Sequence, residues 1–272
     1  MELTVNGAST YCYTGGKPFD AAKPTVVFIH GVVHDHSVWI LQSRYLAHHG
    51  WNVLAIDLPG HCRSAGEAPA SVEAAADFVA ALLDAAGVQK AALVGHSWGS
   101  LIALEAASRL KDRVSHLVLV GTASPMKVSP ALIEASLNDP EKALRMVNIF
   151  SRSTLCAPPS ALGPGTWVYG ASLALGRRVL RSNARVNVFH RGFVACDSYT
   201  GGDAAIRAIT CPVLFLLGSQ DQMTVPKAAQ PLVQAAREAG KAVTQVSLPV
   251  GHHQMTEAPE ATLQAIRDFL RR

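Results

Sequence analysis

At 272 residues, 49% of them hydrophobic, the chain is long enough to bury a sizeable core, as one large domain or two small ones. Charged residues make up 16% and the formal net charge is +4, with no basic run longer than Arg177-Arg178 or Arg271-Arg272, which points away from nucleic acid as a partner. No apolar stretch approaches membrane-spanning length and Met1-Glu2-Leu3-Thr4-Val5 lacks a signal-peptide pattern, so the expectation is a soluble cytoplasmic protein with no membrane partner. The five cysteines, Cys12, Cys62, Cys156, Cys196 and Cys211, contain no Cys-x-x-Cys pair and so give no sign of a structural zinc or redox motif.

In chain order, Asn6-Gly7 between two β-prone runs predicts a hairpin within Leu3 to Thr14. Thr25 to His30 is a β-branched apolar run that suits a buried parallel strand, and it ends in Gly31. A helix carrying Trp39, Leu41, Tyr45 and Leu46 follows, closed by Gly50, before a second buried strand at Asn52 to Asp57. Ser71 with Glu73 opens an Ala-rich helix that stops near Gly87. Strands at Lys90 to Val94 and Val114 to Val120 bracket a helix from Ser100 to Leu110. This strand-helix alternation means a mostly parallel sheet with helices on both faces, an α/β fold.

From residue 123 to 208 no strong strand appears, Pro158-Pro159 and Gly163-Pro164-Gly165 interrupt the chain, and apolar residues sit at helical spacing. We expect an inserted helical cap over 123–208 and a core made of 1–122 and 209–272. Strands at Cys211 to Gly218 and Ala242 to Leu248, with helices at Pro226 to Ala239 and Pro259 to Leu270, complete the sheet.

The chemistry gathers at Gly95-His96-Ser97-Trp98-Gly99, where a strand meets a helix. So abrupt a turn forces Ser97 to positive φ and leaves no room for side chains two residues to either side. A serine that merely caps the helix would share this pattern. A nucleophilic role needs an imidazole to take the hydroxyl proton and a carboxylate to orient it, and Asp221 and His252, each after a strand end, are the candidates. Their order, Ser then Asp then His, is the one this elbow uses.

Together with His30-Gly31, Asp57-Leu58-Pro59-Gly60-His61, Gly218-Ser219-Gln220-Asp221, Val225-Pro226 and Glu257-Ala258-Pro259-Glu260, these residues resemble the α/β-hydrolase superfamily over essentially the whole chain. The resemblance implies Ser97 as nucleophile, His252 as general base and acid, Asp221 as its orienting carboxylate, and the main-chain N–H groups of Val32 and Trp98 as the oxyanion hole. It also implies a serine hydrolase, carboxylesterase-like, acting on an ester or lactone without a cofactor or metal. The aspartate-nucleophile relatives, chiefly haloalkane dehalogenases and epoxide hydrolases, are excluded by the serine. Carbon-carbon bond hydrolases and non-turnover ligand receptors share the constellation.

Among the other histidines, His30 is expected to prop the oxyanion loop and His96 to pack, and His253 sits one residue out of the family spacing. The cluster His34-Asp35-His36 carries metal-ligand types that seldom converge on a loop; His34 and His36 are instead nominated as substrate contacts. Trp167 and Tyr169 join them as cap residues, and with Phe189 and Phe193 on the apolar cap helices they suggest a small substrate with a hydrophobic acyl or aryl group. Cys62 stands where relatives carry a second glycine, which predicts a less sharp turn there. The sequence leaves the oligomeric state open, a homodimer included.

Overall fold

The computed structural model describes residues 1–153 and 167–272, so Cys156 and both the Pro158-Pro159 and Gly163-Pro164-Gly165 breaks lie outside the described residues. The chain opens with the hairpin β1 (Glu2–Val5) and β2 (Ala8–Tyr13), whose turn takes Asn6 and Gly7 to positive φ. Then come β3 (Thr25–Ile29), α1 (Ile40–His48), β4 (Asn52–Ile56), α2 (Val72–Ala85), β5 (Ala91–His96), α3 (Trp98–Leu110) and β6 (Val114–Val120). Ser71 caps α2 as expected, accepting from the Ala74 N–H at 3.1 Å.

Among the described residues five helices follow before the next strand: α4 (Pro130–Asn138), α5 (Pro140–Ser151), α6 (Val168–Ser182), α7 (Val188–Ser198) and α8 (Gly202–Ala208). The sheet resumes with β7 (Val213–Gly218), α9 (Pro226–Glu238) and β8 (Val243–Leu248), and the described chain closes with α10 (Gln254–Glu257) and α11 (Pro259–Leu270). The strand order is β1-β2-β4-β3-β5-β6-β7-β8, with β1 and β2 antiparallel and every pair from β4 to β8 parallel.

Every residue of β3, β4, β5 and β7 is buried, because helices cover both faces and the strand's two-residue period feeds each of them. Val27, Ile29, Leu93, Leu119 and Phe215 join the layer of α2, α3 and α9. Their neighbours Val26, Phe28, Val94, Val118 and Leu216 join Trp39, Leu46, Ile266 and Phe269 on the opposite face. Among the described residues no helix is long and apolar enough to cross a membrane.

Within the expected insertion, α4 packs on α5 and α7, and α5 on α6. The last helix of that range, α8, packs instead on α3 and α9, in the layer beside the sheet. No strand marks where the excursion ends, so periodicity alone could not separate α8 from the helices before it.

Candidate active site

At the end of β5 the chain turns into α3 through one residue, Ser97, held at φ 55° and ψ −121°. A Cβ on Gly95 would lie 2.0 Å from the Gly99 carbonyl oxygen, and one on Gly99 would lie 2.4 Å from the Ile29 carbonyl oxygen. Both obstacles are backbone and cannot swing away, which is the steric reason for glycine at these two places. Gly99→Ala is therefore expected to cost more than about 3 kcal/mol of stability, the range of severe core disruption, and a urea melt beside wild type measures it.

The loops beyond β7 and β8 bring the other two groups together. Asp221 Oδ1 accepts the N–H groups of Met223 and Thr224 at 2.8 and 2.9 Å, while Oδ2 accepts Thr224 Oγ1–H and His252 Nδ1, each at 2.8 Å. Burial raises the Asp221 pKa, but the His252 charge and these hydrogen bonds outweigh it and hold the carboxyl below its usual range. With Nδ1–H donating to an ionised carboxylate, the lone pair of His252 Nε2 is left to accept a proton.

Two contacts brace the His252 backbone. Its N–H donates to the Ser151 carbonyl at 2.7 Å, and its carbonyl accepts from His96 Nε2 at 2.8 Å. His96 thus has a structural partner, as its buried position predicts. His30 likewise props the loop: Nδ1 donates to the Gly31 carbonyl at 2.8 Å and Nε2 accepts the Leu58 N–H at 3.1 Å.

Ser97 and His252 line one cavity of about 290 Å³, walled by Met126, Leu132, Phe150, Phe193 and Met223. Trp98 is the first residue of α3, so its N–H has no carbonyl one turn back to donate to. Among the described residues the Val32 N–H also has no acceptor, and the turn that carries it holds Val33 at φ 54°.

The four nominated substrate contacts are placed elsewhere: none of His34, His36, Trp167 and Tyr169 lines the Ser97 cavity. His36 is drawn to the buried Asp57, with Nδ1 2.8 Å from Oδ1, and sits edge-on to Tyr11. His34 turns inward against His253, at 4.8 Å between ring centroids. Trp167 is 62% exposed and stacks on Tyr169, whose hydroxyl donates to the Arg145 carbonyl. Of the walls, Phe193 is one of the cap aromatics expected at the pocket, Leu132 and Phe150 are ordinary apolar positions of amphipathic helices, and Met126 and Met223 lie on loops. Those two follow the ends of β6 and β7, where the strand-end rule could have found them.

Asp35, His36 and Asp57 bring ligand-type atoms within 4.8 Å of one another. Each is already engaged, His36 with Asp57, and Asp35 with the Ser37 N–H at 2.9 Å and Arg178 at 2.5 Å. The Cys62 turn corrects the expectation of a relaxed bend: Cys62 takes φ 45°, the left-handed conformation a glycine would supply. Its Sγ lies 3.3 Å from Asp35 Oδ2, and burial together with that carboxylate pushes the thiol up to about 12, out of reach of thiolate chemistry at neutral pH.

A parallel sheet with a serine at its strand-to-helix turn and a His-Asp pair at neighbouring strand ends defines the class, and comparison with known sequences agrees. Residues 24–259 match the model of the alpha/beta hydrolase fold, and the chain belongs to that family. It is 29% identical over 266 residues to a pimeloyl-[acyl-carrier protein] methyl ester esterase of Neisseria meningitidis, covering 92% of this chain and 94% of that one. It is 36% identical over 120 residues to lipase LipV of Mycobacterium tuberculosis, 43% of this chain and 44% of LipV. The chain spans less than half the length of three of the curated relatives it matches. The crystal structure of the enol-lactonase from Burkholderia xenovorans LB400 superposes with a TM-score of 0.81 at 22% identity, covering both chains fully, and shares the fold.

Proposed function

We propose that this protein is a serine hydrolase that cleaves a carboxylic ester or lactone of a small, largely apolar substrate through an acyl-enzyme intermediate. The observation that carries the reading is Ser97 at its forced φ, sharing one cavity with a His252 whose Nδ1 lies 2.8 Å from Asp221. Ser97 Oγ attacks the acyl carbon as His252 Nε2 takes its proton, and the resulting oxyanion is met by the N–H groups of Val32 and Trp98. Collapse expels the alcohol, which takes the proton from His252. Water then attacks the acyl-enzyme, giving one proton to His252 and the acyl group its second oxygen, and the departing Ser97 recovers that proton.

Helices α4, α5 and α7 act in this reading as the cap, since Leu132, Phe150 and Phe193 on them wall the cavity. An apolar pocket of this size favours short acyl groups over long ones. p-Nitrophenyl acetate and butyrate are therefore expected to turn over repeatedly, the palmitate with a lower kcat/KM, and a fluorophosphonate to label the protein one to one at Ser97. A panel that adds lactones and aryl dienoates decides the bond type. Dienoate cleavage without ester cleavage would replace the ester assignment, and labelling with no steady state would favour a receptor.

A further inference from the structure

A second cavity, of about 390 Å³, opens beside the histidine cluster and shares no lining residue with the Ser97 cavity. Val168 and Leu175 of α6 give it an apolar wall, and Arg152, His34, His253 and Arg178 give it a polar one. Arg178 is neutralised by Asp35 at 2.5 Å.

Among the described residues Arg152 makes no such direct pair. Its guanidinium donates to two neutral hydroxyls, Thr256 Oγ1 at 3.3 Å and Ser172 Oγ, and its Nε has no partner. The carboxylate whose charge reaches it, Glu257, acts from a distance, because its oxygens are held by neutral donors: Oε2 accepts the Ser153 N–H and Oγ–H at 2.9 and 2.6 Å, and Oε1 accepts the His253 N–H at 3.3 Å. Residues 154–166 contain no Asp or Glu that could serve instead.

A largely buried guanidinium without a directly paired carboxylate is costly, and a ligand that brings one recovers part of that cost on binding. Burial pulls the Arg152 pKa down to about 10, so it is still a cation at neutral pH. His34, lowered to about 3 by burial, and His253, lowered well below its ordinary value, are neutral there and add no charge. The cavity therefore presents a guanidinium with no directly paired carboxylate, its charge offset only at longer range by Glu257, facing an apolar wall.

We propose that this cavity is a binding site for a small organic monocarboxylate, its carboxylate seated on Arg152 and its apolar tail against Val168 and Leu175. The planar guanidinium fork matches a carboxylate in two-point geometry, and the apolar wall selects against fully hydrated anions.

Calorimetric titration of the full chain with hexanoate, hexanol and inorganic phosphate tests this without requiring turnover, so its outcome is separate from that of the hydrolase reading. Hexanoate is expected to bind, hexanol and phosphate to bind at least about tenfold more weakly, and Arg152→Gln to weaken hexanoate by about tenfold or more, the loss of one charge-assisted pair. Should Arg152→Gln fail to fold, Ala171→Phe, which fills the cavity from an exposed position of α6, is expected to abolish binding with Arg152 intact. Hexanoate affinity unchanged in both variants would place the ligand outside this cavity and overturn the proposal. Phosphate binding as tightly as hexanoate would overturn it too.

Discussion

Ser97→Ala is expected to lower ester turnover by about four to six powers of ten while leaving the fold in place, the scale seen when one member of a cooperating triad is removed. Alanine keeps the Cβ, so the positive-φ turn carries the same strain in both proteins and stability should hardly move. No neighbour can take over. Cys196 lines the same cavity, but burial raises its thiol far above the range in which it ionises at neutral pH. Ser129 lines it too, yet its Oγ is engaged in capping α4, accepting the Leu132 N–H at 3.3 Å. Steady-state rates on p-nitrophenyl butyrate, beside circular-dichroism melts of both proteins, make the measurement. Activity retained within about tenfold would remove Ser97 from the chemistry, since that is far less than a nucleophile contributes.

Acid should unfold this protein early. His30, His34, His61, His96 and His253 are all buried, and burial lowers the pKa of each, to about 3 for His34 and His61. Below the unfolded value of roughly 6.5 the unfolded chain takes up protons that the native state refuses. The stability held by these neutral rings is thus fully present above about pH 6.5 and drains away as the pH falls towards about 3. Each ring contributes a slope of about 1.4 kcal/mol per pH unit, so His34 and His61 alone remove about 3 kcal/mol per unit from a total typically of 5–15 kcal/mol.

Urea midpoints at pH 7.5, 6 and 5 are expected to fall steeply, well before Asp221, with its lowered pKa, begins to titrate. His61→Asn should flatten the slope by one proton, because the amide N–H can replace the ring N–H that meets the Pro59 carbonyl at 3.0 Å. A midpoint that does not move between pH 7.5 and 5 would mean that the native state admits these protons after all.

The sheet was legible because burial on both faces writes strands as unbroken apolar runs. Thr25 to Ile29 and Val213 to Gly218 read that way and are buried throughout. The elbow was legible because its constraint is local. Only glycine fits at Gly95 and Gly99, where backbone oxygens stand 2.0 and 2.4 Å from any added Cβ, and that requirement shows in the letters themselves. Asp221 and His252 could be nominated from strand ends and chain order, and the fold does set them 2.8 Å apart.

What surrounds Ser97 was not legible. Side-chain direction on a helix or loop depends on which neighbour competes for it, and those neighbours are distant in sequence. His36 is claimed by Asp57, His34 turns in on His253, and Trp167 stacks outward on Tyr169. Of the cap aromatics expected at the pocket only Phe193 lines the cavity, and the rest of the wall falls to Met126, Leu132 and Phe150, which look like any other apolar positions until the helices are packed. Sequence alone determined the sheet, the strained turn and the three groups above it, because each follows from backbone sterics or strand order. The pocket and the unpaired charge of Arg152 were decided only by tertiary structure, since both depend on which side chains meet across elements far apart in the chain.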